Sequence, residues 1–152
     1  MRKHLSFIFV LILTLVIIGC ENDAPGGELQ IGREYDFSGV TQIKLINGHN
    51  GHSTTITNEA DIEKIISFVE ETVGKSLGSG KGYYEGSYSV VCSFDNSEEF
   101  LLTYGDDTVF YLGEGEDGYP IRYRLIHINI SDDVIPFFSQ YDQSGMVWSE
   151  GS

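Results

Sequence analysis

Cysteine, proline and basic residues are all scarce in this chain, and each shortage removes a class of protein. Two cysteines, Cys20 and Cys92, are too few for a disulfide framework. Three prolines, at positions 25, 120 and 136, rule out an extended polyproline segment. Nine lysines and arginines stand against 23 aspartates and glutamates, a net charge of -14. A field of that sign opposes phosphate backbones, so nucleic acid is not an expected partner, whereas cations and basic partners are favoured. Beyond residue 18 no apolar run approaches the roughly 20 residues that a membrane-spanning helix needs. No G-x-S-x-G elbow for serine chemistry occurs either.

What is present begins at the N-terminus. Arg2 and Lys3 form a basic start, and Leu5 to Ile18 form an apolar run broken only by Ser6 and Thr14, the length of a signal-peptide core. Polar sequence, ENDAPGGE, follows directly after Cys20. The stretch Ile17-Ile18-Gly19-Cys20 resembles the lipobox of bacterial lipoproteins, in which a small residue before the cysteine admits a dedicated peptidase. That resemblance implies a thioether-linked diacylglycerol on Cys20 and a mature chain that starts there, anchored on the extracytoplasmic face of the cell membrane. Two acyl chains anchor stably where one is marginal, at about 0.8 kcal/mol per buried CH₂.

The expected layout is a signal peptide over 1–19, a lipid-anchored flexible tether over 20–38, a domain over 39–142 and a flexible tail over 143–152. Loss of residues 1–19 takes Arg2 and Lys3 with it and leaves 133 residues of net charge -16, enough for one hydrophobic core. Pro25, Gly26 and Gly27 mark the tether, whose root-mean-square reach is on the order of 20 Å.

Within the domain, VTQIKLI (40–46) and STTIT (53–57) read as strands around the loop NGHNG, a hairpin signal. Asn58 caps a helix whose apolar stripe runs Ile62, Ile65, Ile66, Val69 and Val73, with Gly74 as its stop. Residues 87–94, 99–104, 107–112 and 121–130 read as four strands of an antiparallel meander. Ser131, Asp132 and Asp133 open a last short helix carrying Val134, Ile135, Phe137 and Phe138. The expectation is α+β: a two-layer sandwich of order β-β-α-β-β-β-β-α, its mainly antiparallel sheet covered by two helices.

Chemical motifs are weak. The glycine-rich GKSLGSGKGYYEG (74–86) fails the phosphate-loop spacing: Lys75 stands where a glycine is required, Gly82 where Ser or Thr is required. It reads as a flexible connection. His49 and His52 bracket the hairpin loop and would need a third ligand such as His127 to hold zinc. Acidic clusters at 95–99, 106–107 and 114–117 suit calcium by chemistry, yet none follows the EF-hand order. Paired carboxylates for glycoside cleavage depend on a spacing of about 5–9.5 Å that sequence does not give. Alternation puts Cys92 on one strand face with Tyr88, Val90 and Phe94, a buried thiol without a nearby histidine. The nine tyrosines offer amphipathic contact surface, with Tyr83, Tyr84 and Tyr119 the candidates in turns.

A lipobox, a short tether and one β-rich domain together resemble the small lipoproteins of bacterial envelopes. The resemblance implies a non-catalytic module, without a cofactor, that holds an envelope protein, peptide or glycan. A calcium- or zinc-binding accessory lipoprotein is the alternative, and a small envelope hydrolase the third.

Overall fold

The computed structural model describes residues 27–48, 50–80, 88–105 and 108–141. The fold is α+β, built on one eight-stranded antiparallel sheet. Its elements are β1 (Glu28–Gln30), α1 (Ile31–Glu34), β2 (Val40–Asn47), β3 (Ser53–Ile56), α2 (Glu59–Glu70), β4 (Val73–Ser79), β5 (Tyr88–Phe94), β6 (Glu99–Tyr104), β7 (Val109–Glu114) and β8 (Pro120–Ile126). A π-helical turn, Ile130–Val134, leads into α3 (Ile135–Ser139). Across the sheet the strands run β1-β4-β8-β7-β6-β5-β2-β3.

Strand periodicity gives the sheet two unlike faces. Ile43 pairs with Cys92 and Leu45 with Val90, and Cys92 and Val90 pair in turn with Phe100 and Leu102, a continuous apolar layer on one face. The helices cover that face. Ile62, Ile65 and Val69 of α2 join Val134 and Phe138 of the C-terminal segment in the same buried cluster. Phe138 stacks on Tyr88 at 5.5 Å between ring centroids. Asn58 caps α2 by accepting from the Asp61 amide at 3.2 Å, and Asn129 caps the π turn by accepting from the Ser131 and Asp132 amides, each satisfying otherwise orphaned donors.

Three sequence expectations need correction. The stretch read as tether is part of the domain from Glu28 onward: β1 pairs with β4, Ile31 is fully buried and Phe37 nearly so. Leu29, Ile31, Tyr35 and Phe37 stand singly among polar residues there, behind the Pro-Gly-Gly that marks a tether. Residues 73–79, read as a helix stop and a flexible connection, form β4. Gly74 is a packing position, since a Cβ there would run into the Phe110 ring and Tyr123. The last strand stops at Ile126, because His127 takes a left-handed backbone with φ 66°. The order is therefore not β-β-α-β-β-β-β-α: β1, α1 and β4 are added to it. Among the described residues no helix is long and apolar enough to cross a membrane.

Candidate functional site

The sheet parts between β6 and β7, and a cleft opens there. Only Leu102, Thr103 and Tyr104 pair with β7, opposite Leu112, Tyr111 and Phe110. Glu99 and Phe100 have no β7 residue paired with them. The cause lies in β7, where the ladder to β8 slips between Leu112 and Glu114. Gly113, with φ 65°, is the extra residue of that bulge. A bulge with glycine in the left-handed region bends its strand, and here the bend carries β7 away from the start of β6.

The resulting cleft has a volume of about 660 Å³. Tyr35, Phe100 and Leu112 line it from the core side, and Ser89, Leu101, Thr103 and Tyr111 from the open face. Tyr35 meets Phe100 edge-on at 4.9 Å. Leu101 is 52 % exposed although it sits in mid-sheet. The Ser89 and Thr103 hydroxyls bond to each other at 2.9 Å. Partial burial, and then the nearby Glu34 carboxylate, push the Tyr35 phenol up, so it presents a neutral hydroxyl. Glu99 and Glu114 supply carboxylates at the mouth, where Pro120 also lies.

Backbone direction adds a second property. The Phe94 amide donates to the Glu98 carbonyl at 3.0 Å on the β5 side, and the Gly105 amide donates to the Val109 carbonyl at 2.7 Å on the β7 side. Because the groups of successive strand residues alternate between neighbours, those of Glu99 point toward β7, beyond the last residue that pairs there. The cleft thus combines an apolar lining with a short free strand edge, the template for adding an extended segment.

The sequence candidates fall elsewhere or lie outside the described residues. Cys20, His49, Tyr83 and Tyr84 are outside them. His52 is exposed in the β2–β3 turn, its amide donating to Asn50 Oδ1 at 2.9 Å. Among the described residues no group of three His, Cys, Asp or Glu side chains is placed to share a metal. Tyr119 is exposed on the β7–β8 turn, next to Pro120 of the cleft. That turn is fixed by Asp117, which accepts from Ser79 Oγ at 2.9 Å and the Tyr119 amide at 3.1 Å. Those two bonds, the Ser79 one foremost, hold its carboxyl below the usual range. Cys92 is fully buried, and burial pushes its thiol up to about 12, the opposite of an activated nucleophile.

Tyr35, Leu101 and Tyr111 are the residues that sequence reasoning missed. Leu101 alternates with Phe100 and Leu102 in a run that reads as wholly buried, so its exposure has no local signal. No known protein family, curated protein or solved structure matches this chain.

Proposed function

We propose that this chain is an extracytoplasmic lipoprotein, tethered through diacylglycerol on Cys20, whose domain is a non-catalytic module holding an extended segment of an envelope partner in the β6/β7 cleft. The observation that carries the binding reading is the parting itself: about 660 Å³ of space beside the end of a strand, where Glu99 and Phe100 pair with no β7 residue. A peptide laid along that edge gains main-chain hydrogen bonds, and Leu101, Tyr35 and Tyr111 offer contacts for its alternate side chains. The anchoring reading rests on the basic start, the apolar run and the Gly19-Cys20 junction.

Capture from detergent-solubilised envelope tests the first reading. Leu101→Arg, at a 52 % exposed position, is expected to fold and to lose the partner that the parent retains. Equal capture by parent and variant overturns the cleft as the binding seat. Partition into the detergent phase tests the second: Cys20→Ala and inhibition of lipoprotein processing are each expected to change both partition and mobility, and no change in either would sink the anchor.

A further inference from the structure

The open face of the sheet gathers cations, which are scarce in this chain beside its acidic residues. Lys75 on β4 stands directly opposite Arg124 on β8, and Arg122 lies on the same face two residues along. In a chain of net charge -14 this is a concentration of cations, and directly opposed like charges destabilise a sheet. Lys75 also faces Glu28 across β1 and β4. Even so, the ion pair found among the described residues is Lys64 with Asp61, at 3.8 Å, and none involves these three cations. The Arg122 guanidinium lies over Gly80, 2.9 Å from where a Cβ would stand, and its Nε is buried without a hydrogen-bond partner among the described residues. Buried donors of this kind call for an acceptor. Asp117, the nearby carboxylate of the turn, is engaged by Ser79 and Tyr119 instead.

We propose that Lys75, Arg122 and Arg124 form a binding site for a phosphate-bearing group. Three cations less the Glu28 and Asp117 carboxylates leave a local charge of about +1, opposite in sign to the roughly -1.5 to -2 of a phosphate monoester at neutral pH. Guanidinium forks suit phosphate oxygens, and the ammonium adds a point charge. The site is separate from the β6/β7 cleft but adjoins it: Arg122 stands opposite Tyr111, one of the cleft's lining residues. It stands whether or not the cleft binds a partner. Two sources carry this chemistry, a soluble phosphate ester and a lipid headgroup.

Amine acetylation read by mass spectrometry tests the site on the full chain in non-ionic micelles, with Lys64 on α2 as internal reference. Glycerol 3-phosphate is expected to slow Lys75 relative to Lys64 by roughly fivefold, the equivalent of one cation contact. Sodium chloride at equal ionic strength should not. Arg122→Gln/Arg124→Gln should abolish the protection. If micelles doped with phosphatidylglycerol protect Lys75 and the soluble ester does not, the site reads headgroups. Unchanged Lys75 reactivity in both arms, or protection that survives the double substitution, overturns the proposal. Envelope capture by the double variant reads the cleft separately, so the two readings fail independently.

Discussion

The Tyr104 and Thr72 hydroxyls meet at 2.8 Å in the buried interior, tying the middle of the sheet to the turn between α2 and β4. Thr72 Oγ1 also reaches the Phe68 carbonyl at 3.4 Å, so the Tyr104 hydroxyl donates to Thr72 and Thr72 donates onward. Thr72→Val strands the phenol in a dry site and is expected to cost about 1–3 kcal/mol. Tyr104→Phe leaves Thr72 its carbonyl acceptor and should cost about 1 kcal/mol. Urea midpoints at unchanged slope measure both. The reverse ranking would mean that the two hydroxyls are not coupled.

Ile65 is fully buried, whereas its neighbour Ile66 only packs against the edge of the core. Ile65→Asp puts an unpaired charge into the apolar layer and should remove cooperative melting, given a total stability of roughly 5–15 kcal/mol. Ile66→Asp should lower the melting temperature and keep the transition. Equal melting of the two variants would mean that α2 turns both side chains equally toward the sheet.

Gly74 lets Phe110 and Tyr123 stack at 5.0 Å across β7 and β8. A methyl group at Gly74 meets both side chains, so Gly74→Ala should cost about 1–3 kcal/mol through overpacking. Gly51→Ala, in open space but at φ 71°, should cost about 1 kcal/mol through backbone strain alone. Denaturant titration distinguishes them, and a neutral Gly74→Ala would contradict the close approach.

Cys92 sets a pH dependence with a defined sign. Burial raises its thiol from an ordinary 9.0 to about 12, so the folded chain keeps a proton that the unfolded chain releases. The stability this contributes is complete below about pH 9 and is lost as pH rises toward about 12. Tyr104, raised by burial from 10.0, acts in the same direction. Cys92→Val should flatten part of the alkaline decline seen in urea midpoints between about pH 8 and pH 11. A parent midpoint that holds steady across that range rules out a buried thiol.

Much of the fold is legible in the sequence because its strands alternate and its helix has a stripe. Tyr88, Val90 and Cys92 share one buried face, as alternation requires, and Asn58 caps α2 where its side chain predicts. The misreadings share a cause, glycine and polar residues standing in sheet positions. Gly74 looks like a helix stop, but its role is set by a ring that is distant in sequence. Glu28 to Gln30 become a strand only because β4 offers an edge. The cleft is illegible for a related reason: Gly113 signals a turn, while the gap it opens depends on how β6 and β7 pair, which local periodicity does not encode.

The first strand has a mechanical meaning. β1 is held to β4 by three residue pairs, the Ser76 amide donates to the Gly27 carbonyl at 3.0 Å, and the Ile31 amide donates to the Thr72 carbonyl at 3.0 Å. Tension arriving from residues ahead of Gly27 therefore loads this short strand first. It can peel away while fully buried Ile31 stays locked behind it. Under the anchoring proposed above, residues 28–30 would act as a fuse, lengthening the leash by about 10 Å before any force reaches the core.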